Sequence, residues 1–382
     1  MSKKKSNSEP REFAIPKGVS AMTNIVDRYA PFFKTLGNIE SRLLKRRIEE
    51  VSSSISPIYI NGLPRSGTTI TLTMFSEHPD VVTHLYRDTV LPFLPYVWDK
   101  IMTHAPLPPD KPMQRIHKDG ITVTRDSPEA IEEALWTKFF PSLHDPSHIN
   151  TLDGSIYHPE FEHFYRDHIA KLAISRGRSR YVAKNNYNTV RMEYLIRFIP
   201  EARFFLFIRD PVSHIASMIK QNRNIRTVQE ANRKLTRLWN IIGHYEFGVL
   251  RRPLNVGDEA AVKKIEELWE RGEEVEGWAR YWSMIYDYAF TRVNANPALK
   301  EACSIVRFED LYSKPDETIR RLFHHARLEG EAADEIHDKY MKRFRKPRYY
   351  KPDYSKEDVA LIRRITAETA QKYGYDETGD VP

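Results

Sequence analysis

The chain has 382 residues, of which 41% are hydrophobic, 12% aromatic and 29% charged, with a formal net charge of +7 at pH 7. That is ample apolar material for a sizeable core in one large or two smaller domains, and it excludes a disordered chain. The positive balance favours an anionic partner such as a nucleotide, a sulfated or phosphorylated substrate, nucleic acid or a membrane surface, although +7 over this length is also an ordinary mildly basic surface.

The one cysteine, Cys303, allows no internal disulfide, so the fold is expected not to need an oxidising compartment. It precedes the apolar run Ser304-Ile305-Val306 and reads as a core thiol. No run of about 18 apolar residues is present, so no transmembrane helix is expected. Lys3, Lys4 and Lys5 lead into polar residues without an apolar stretch, which is not a secretory signal; a cytoplasmic protein is expected.

In chain order, residues 1–31 read as a polar, partly disordered lead, and 32–382 as a single domain. Residues 34–51 have helical spacing, with Ile39, Leu43, Leu44 and Ile48 opposite Arg and Glu. Ile58, Tyr59 and Ile60 read as a short buried strand, broken by Asn61 and Gly62. Pro64 to Thr69 then turns tightly into a helix carrying Ile70, Leu72, Met74 and Phe75. A strand, a small-residue turn and a helix N-terminus make an anion cradle, because backbone N–H groups converge where the helix dipole favours negative charge. Gly67 lets the backbone approach an anion, Ser66, Thr68 and Thr69 offer hydroxyls, and Arg65 adds a forked donor suited to phosphate or sulfate. The loop is not a Walker A motif, which needs a lysine after the second glycine.

Residues 79–126, rich in proline and aromatics, suit an ordered loop region of the kind that shapes substrate pockets. Asp126 is placed to cap a helix whose second residue is Pro128, with Glu129 completing a capping box and Ile131, Leu135 and Phe139 marking its apolar face. A helix over 160–176 follows, then a strand at Tyr181-Val182-Ala183 ending at Lys184-Asn185-Asn186, then a helical stripe of Met192, Leu195, Ile196 and Ile199. Arg203 to Ile208 is a continuous apolar run, as expected of a parallel strand buried on both faces. It ends at Arg209, and Asp210 with Pro211 opens the next helix. Residues 225–295 read as mostly helical with a break at 251–260, Ser304 to Val306 as a strand, and Pro315 to Phe323 and Lys356 to Tyr373 as helices.

Strands alternating with helices predict an α/β fold, a central parallel sheet flanked by helices, with ligands at the carboxyl ends of its strands. Three expected strand ends carry cations: the Arg65 loop, Lys184 and Arg209. At the Arg209 end, Ser213 and Ser217 both offer hydroxyls, and helix geometry alone favours Ser213.

Together these segments resemble the sulfotransferase family that uses 3′-phosphoadenosine 5′-phosphosulfate (PAPS). Leu63-Pro-Arg-Ser-Gly-Thr-Thr69 is similar to its 5′-phosphosulfate loop, and Phe207-Ile-Arg209-Asp-Pro211 with Ser217 eight residues after Arg209 to its 3′-phosphate motif. Lys184-Asn-Asn resembles the lysine segment before that motif, and Val306-Arg-Phe-Glu-Asp-Leu311 followed by Pro315 the family's V-x-Y-E-D-L…P segment. The resemblance implies a P-loop nucleotide-hydrolase-like fold whose 225–295 region is a helical insertion or lid on the acceptor side. It implies sulfuryl transfer from PAPS to a hydroxyl by in-line displacement, releasing adenosine 3′,5′-bisphosphate, with no metal required. Arg65 and the 66–69 segment (Ser66, Gly67, Thr68, Thr69) would hold the 5′-phosphosulfate; Arg209 with Ser217, rather than Ser213, the 3′-phosphate; and Lys184 would stabilise the departing oxygen. Phe308, where many relatives have tyrosine, would seat adenine, and Arg348, in the basic run 342–351, would close over the nucleotide.

The attacking hydroxyl needs a base. The stretch after the first helix lacks the glutamate familiar in relatives; Asp88 and His84 are the candidates, Asp88 preferred, with Glu132 and Glu133 next. The series His158, His163 and His168, spaced by five, does not keep one helical face, and His144, ahead of His148, sits in the turn His144-Asp-Pro, so no metal is expected. No nucleic-acid-binding signature is present. A P-loop-type ATP-dependent kinase and a non-catalytic nucleotide- or polyanion-binding protein are the alternatives. The acceptor is open among carbohydrate, lipid, peptide and small molecule, as is the oligomeric state.

Overall fold

Strands with apolar side chains at every position can only be buried on both faces, and these build the centre of the molecule. The computed structural model describes residues 17–52, 55–106, 110, 112–116, 122–345 and 354–376. Its sheet has five parallel strands: β1 (Ile58–Asn61), β2 (Val81–Val82), β5 (Arg180–Lys184), β6 (Arg203–Ile208) and β7 (Cys303–Arg307), in the order β2-β5-β1-β6-β7. The short pair β3 (Met113–Gln114) and β4 (Thr122–Val123) is a separate antiparallel hairpin. β1 lies between β5 and β6, with Ile60 beside both Lys184 and Phe205.

The period-two alternation of a strand divides its residues between two cores. Tyr59, Tyr181, Ala183, Phe204, Leu206 and Ile208 join the larger core, under the helices Pro159–Arg176, Met192–Phe198 and Glu274–Ala295. Ile58, Ile60, Val182, Phe205, Phe207 and Val306 join the other, with the helices Thr68–Ser76, Pro315–Ala326 and Glu331–Met341. Cys303 packs against the larger core, and burial pushes its thiol up to about 12. The helix Pro211–Ala231 starts where expected, the Asp210 carboxylate accepting from the Ser213 N–H at 2.8 Å. Ser355 and Asp358 form a capping box at the start of the expected helix Lys356–Lys372.

Several elements differ from expectation. Residues 17–28, read as part of the polar lead, form a helix, and 34–51 is divided between Ala30–Leu43 and Lys45–Ser52. The proline-rich stretch holds a helix at Pro95–His104. The helix expected from Asp126 begins only at Glu133 and ends at Phe139. Distant partners claim the segment before it: Asp126 pairs with Arg87 at 2.9 Å, the Tyr86 N–H donates to the Ser127 carbonyl, and the Glu129 N–H to the His84 carbonyl. Among the described residues no helix is long and apolar enough to cross a membrane.

Candidate active site

The carboxyl ends of β5, β1 and β6 are adjacent, and each delivers a cation. After β1 the chain reverses through Gly62, whose φ of 135° only glycine adopts readily; a Cβ there would meet the Phe207 carbonyl oxygen at 2.3 Å. Arg65 takes a φ of 77°, left-handed without being glycine. Such strain persists where surrounding contacts over-determine it. Here the Leu63 N–H donates to the Tyr286 hydroxyl at 3.2 Å and the Ser66 hydroxyl to the Leu63 carbonyl at 2.7 Å. His214 Nε2 lies 2.9 Å from the Pro64 carbonyl, and the Trp282 indole N–H donates to His214 Nδ1 at 3.1 Å. Burial and the nearby Arg209 bring His214 down to about 3, so it is neutral and Nε2 carries the donated hydrogen.

Gly67, with φ of 98°, opens the Thr68–Ser76 helix; a Cβ at this position would meet the Phe308 ring at 2.7 Å. Phe308 therefore packs directly beneath the loop, with the Arg209 guanidinium 4.7 Å above its ring. Arg209 donates to the Arg65 carbonyl at 3.2 Å, and the Arg65 Nε–H donates to the Ser217 hydroxyl at 3.3 Å. Arg65, Arg209 and Ser217 are thus together, whereas the Ser213 amide is used by the Asp210 cap. Arg209 Nε is buried and has no hydrogen-bond partner among the described residues. A buried, unanswered guanidinium N–H beside a glycine cradle is what an anion site requires. Glu309, to which the sequence assigned no role, ties this corner: it accepts from the Asp210 N–H at 3.2 Å and from the Tyr375 hydroxyl at 2.7 Å.

Lys184 ends β5. Burial pulls its ammonium below the ordinary value, with Glu129 and Glu246 acting against that shift. It faces a cavity of about 700 Å³ whose polar end also holds Arg65, Thr68, Thr69 and Asn186. Glu129, His244 and Glu246 line the same cavity. Glu246 lies 3.5 Å from His244 Nδ1 and accepts from the Asn186 amide at 2.9 Å. Burial would raise Glu246 and lower His244; their mutual contact prevails, holding Glu246 at about 2 and raising His244. Glu129 is held below its usual range against burial by Arg115 and Lys184.

The four base candidates from the sequence do not line this cavity. Both Asp88 oxygens accept from Arg176 at 2.8 Å, and one also accepts from the Leu85 N–H. His84 is enclosed between His168, Nε2 to Nε2 at 2.8 Å, and the Tyr181 hydroxyl at 3.1 Å; burial and Arg176 bring it down to about 3. Glu132, pushed up to about 7 by burial, accepts from Tyr165, Tyr181 and Asn188. Glu133 is held ionised by Arg191, at 2.9 and 3.0 Å, and by His144 at 2.6 Å. These four form a buried polar core behind the sheet end. The residues missed, His244 and Glu246, follow Gly243 in a break between helices, and His-x-Glu there was the available signal. Arg348 lies outside the described residues. Among the described residues no cluster of three or more His, Cys, Asp or Glu is arranged to hold a metal ion.

A family model described as the sulfotransferase family matches residues 57–246. Among solved structures, the fold is similar to that of the sulfotransferase STF9 from Mycobacterium avium, at 13% identity and a TM-score of 0.51, covering 88% of this chain and 81% of that one. The sulfotransferase STF1 from Mycobacterium tuberculosis H37Rv is also 13% identical, with a TM-score of 0.45 over 89% of this chain and 81% of that one. At such identities a likeness speaks to fold alone, and here it rests on STF9. No curated protein matches the chain in sequence.

Proposed function

The chain belongs to the sulfotransferase family, its matching segment being residues 57–246, and from that premise we propose that it moves the sulfuryl group of PAPS onto an acceptor hydroxyl. The observation that carries this reading is the meeting of Arg65, Arg209 and Ser217 beside Lys184, at the ends of three adjacent strands. In it, Arg65 and the amides of Ser66 to Thr69 hold the 5′-phosphosulfate, and Arg209 with Ser217 the 3′-phosphate. Phe308 props the loop and Arg209 from below, and Arg348 is a further nucleotide contact. Within residues 225–295, the part up to Phe247 lines the acceptor side, and one catalytic domain takes in 32–382 together with the Lys17–Arg28 helix that lines the same cavity.

His244 is the base. It touches the cavity, and Glu246 makes it more basic, whereas Glu129 is weakened as a base by two cations. The acceptor oxygen forms a new S–O bond as its proton passes to His244. The S–O bond to the 5′-phosphate breaks, and adenosine 3′,5′-bisphosphate leaves with its new charge facing Lys184. Catalysis of this kind is positioning plus fixed positive charge, supplied here by two arginines and a lysine.

Titration calorimetry with adenosine 3′,5′-bisphosphate and, separately, ATP–magnesium tests the donor assignment. Binding of the bisphosphate in preference to ATP is expected; a preference for ATP would sink the reading.

A further inference from the structure

The acceptor end of the cavity has a chemistry of its own. Besides its charged residues, its wall is built from Val123, Ile131, Ile225, Leu238 and Phe247, all buried. Met22 lines it from the Lys17–Arg28 helix and is itself 42% exposed, so the apolar lining reaches the surface there. Met102, on the Pro95–His104 helix, lines it as well.

The cations in the wall face carboxylates. Arg87 lies 2.9 Å from both Asp99 and Asp126, Arg125 3.5 Å from Asp110, and Arg115 3.7 Å from Glu129. The wall thus offers aliphatic and aromatic surface with its charges matched internally. Thr89, Thr124 and the paired side chains offer some polar atoms, but most of the lining surface is carbon, so a sugar would lose water from more hydroxyls than the wall can answer, while an apolar body would gain from leaving water. Pockets of roughly 300–1,000 Å³ enclose most of a drug-sized ligand, and the cavity of about 700 Å³, which the acceptor would share with the phosphosulfate end of the donor, falls in that range.

We propose that the acceptor is an alcohol or phenol on a bulky, mainly apolar body, taken into this cavity with its hydroxyl turned to Lys184 and His244. This rests on the sulfuryl-transfer reading of the same site. The test uses labelled PAPS with cholesterol and 4-octylphenol as apolar probes, and chitotriose and a tyrosyl peptide as polar ones. Cholesterol is offered both from cyclodextrin and in phosphatidylcholine vesicles, which separates a dissolved acceptor from a bilayer-borne one; transfer from either source supports the inference. Transfer to an apolar probe should exceed transfer to both polar probes by at least about tenfold in kcat/KM. Val19→Trp and Met102→Trp, at partly exposed lining positions, should lower apolar transfer by about tenfold while bisphosphate binding stays intact. A preference for the sugar or peptide, or no transfer to any apolar probe by protein that binds the bisphosphate, overturns this inference and leaves the donor assignment standing. Failure to bind the bisphosphate overturns both.

Discussion

Lys184 has the Glu129 and Glu246 carboxylates for neighbours, and in the proposed reading Arg209 with Ser217 anchors the nucleotide, so its proposed contribution falls on the reacting oxygens. Lys184→Ala is therefore expected to cost about 10²–10³-fold in kcat, as loss of a single transition-state donor does. Calorimetric affinity for the bisphosphate should stay near wild type; equal losses in both would reject the role. His244 makes a second prediction. As the proposed base it accepts the proton in its neutral form, so kcat/KM should rise as pH passes upward through its raised pKa. Glu246 stabilises the protonated ring, so Glu246→Gln should move that acid limb to lower pH. An unmoved limb would take the base role from His244. Asp88, His84, Glu132 and Glu133 show why sequence reading missed this pair. A carboxylate bound to Arg176 or Arg191 and one facing a substrate have the same letters, and only the distant partner separates them.

At the scale of elements, β6 and the helix after it were legible because their signals are local. Arg203–Ile208 has no polar residue after Arg203, and Asp210-Pro211 is a cap and a first helical residue in sequence. Alternation sends Phe205 into one core and Phe204 and Leu206 into the other, so β6 holds both together. Phe205→Ala is expected to cost about 3–5 kcal/mol in chemical denaturation, the range of a fully buried aromatic. A loss near zero would mean that the two cores do not depend on this strand. The Asp126 capping box failed for the converse reason: its three-residue signal was overruled by Arg87 and by backbone pairing with residues 84–86, contacts from another part of the chain.

For the whole molecule, the strand order turns residues 65, 184 and 209 into neighbours. The rest of the cavity wall instead gathers pieces of the Lys17–Arg28 and Pro95–His104 helices, the β3–β4 hairpin and residues 238–247, a joining that no local pattern announces. The long helix Glu274–Ala295 braces the turn at residues 63–66 from behind through Trp282 and Tyr286, so the left-handed turn at Arg65 is enforced by the fold and not chosen by arginine. Glycine would relieve strain of order 1–3 kcal/mol there, against roughly 0.5–1 kcal/mol for its greater chain entropy, so the net favours glycine. It would also remove the guanidinium that reaches Ser217. Position 65 is thus a place where heat tolerance and turnover pull in opposite directions. A library screened for survival at high temperature alone should drift toward glycine, and only a screen that also reads product should keep arginine.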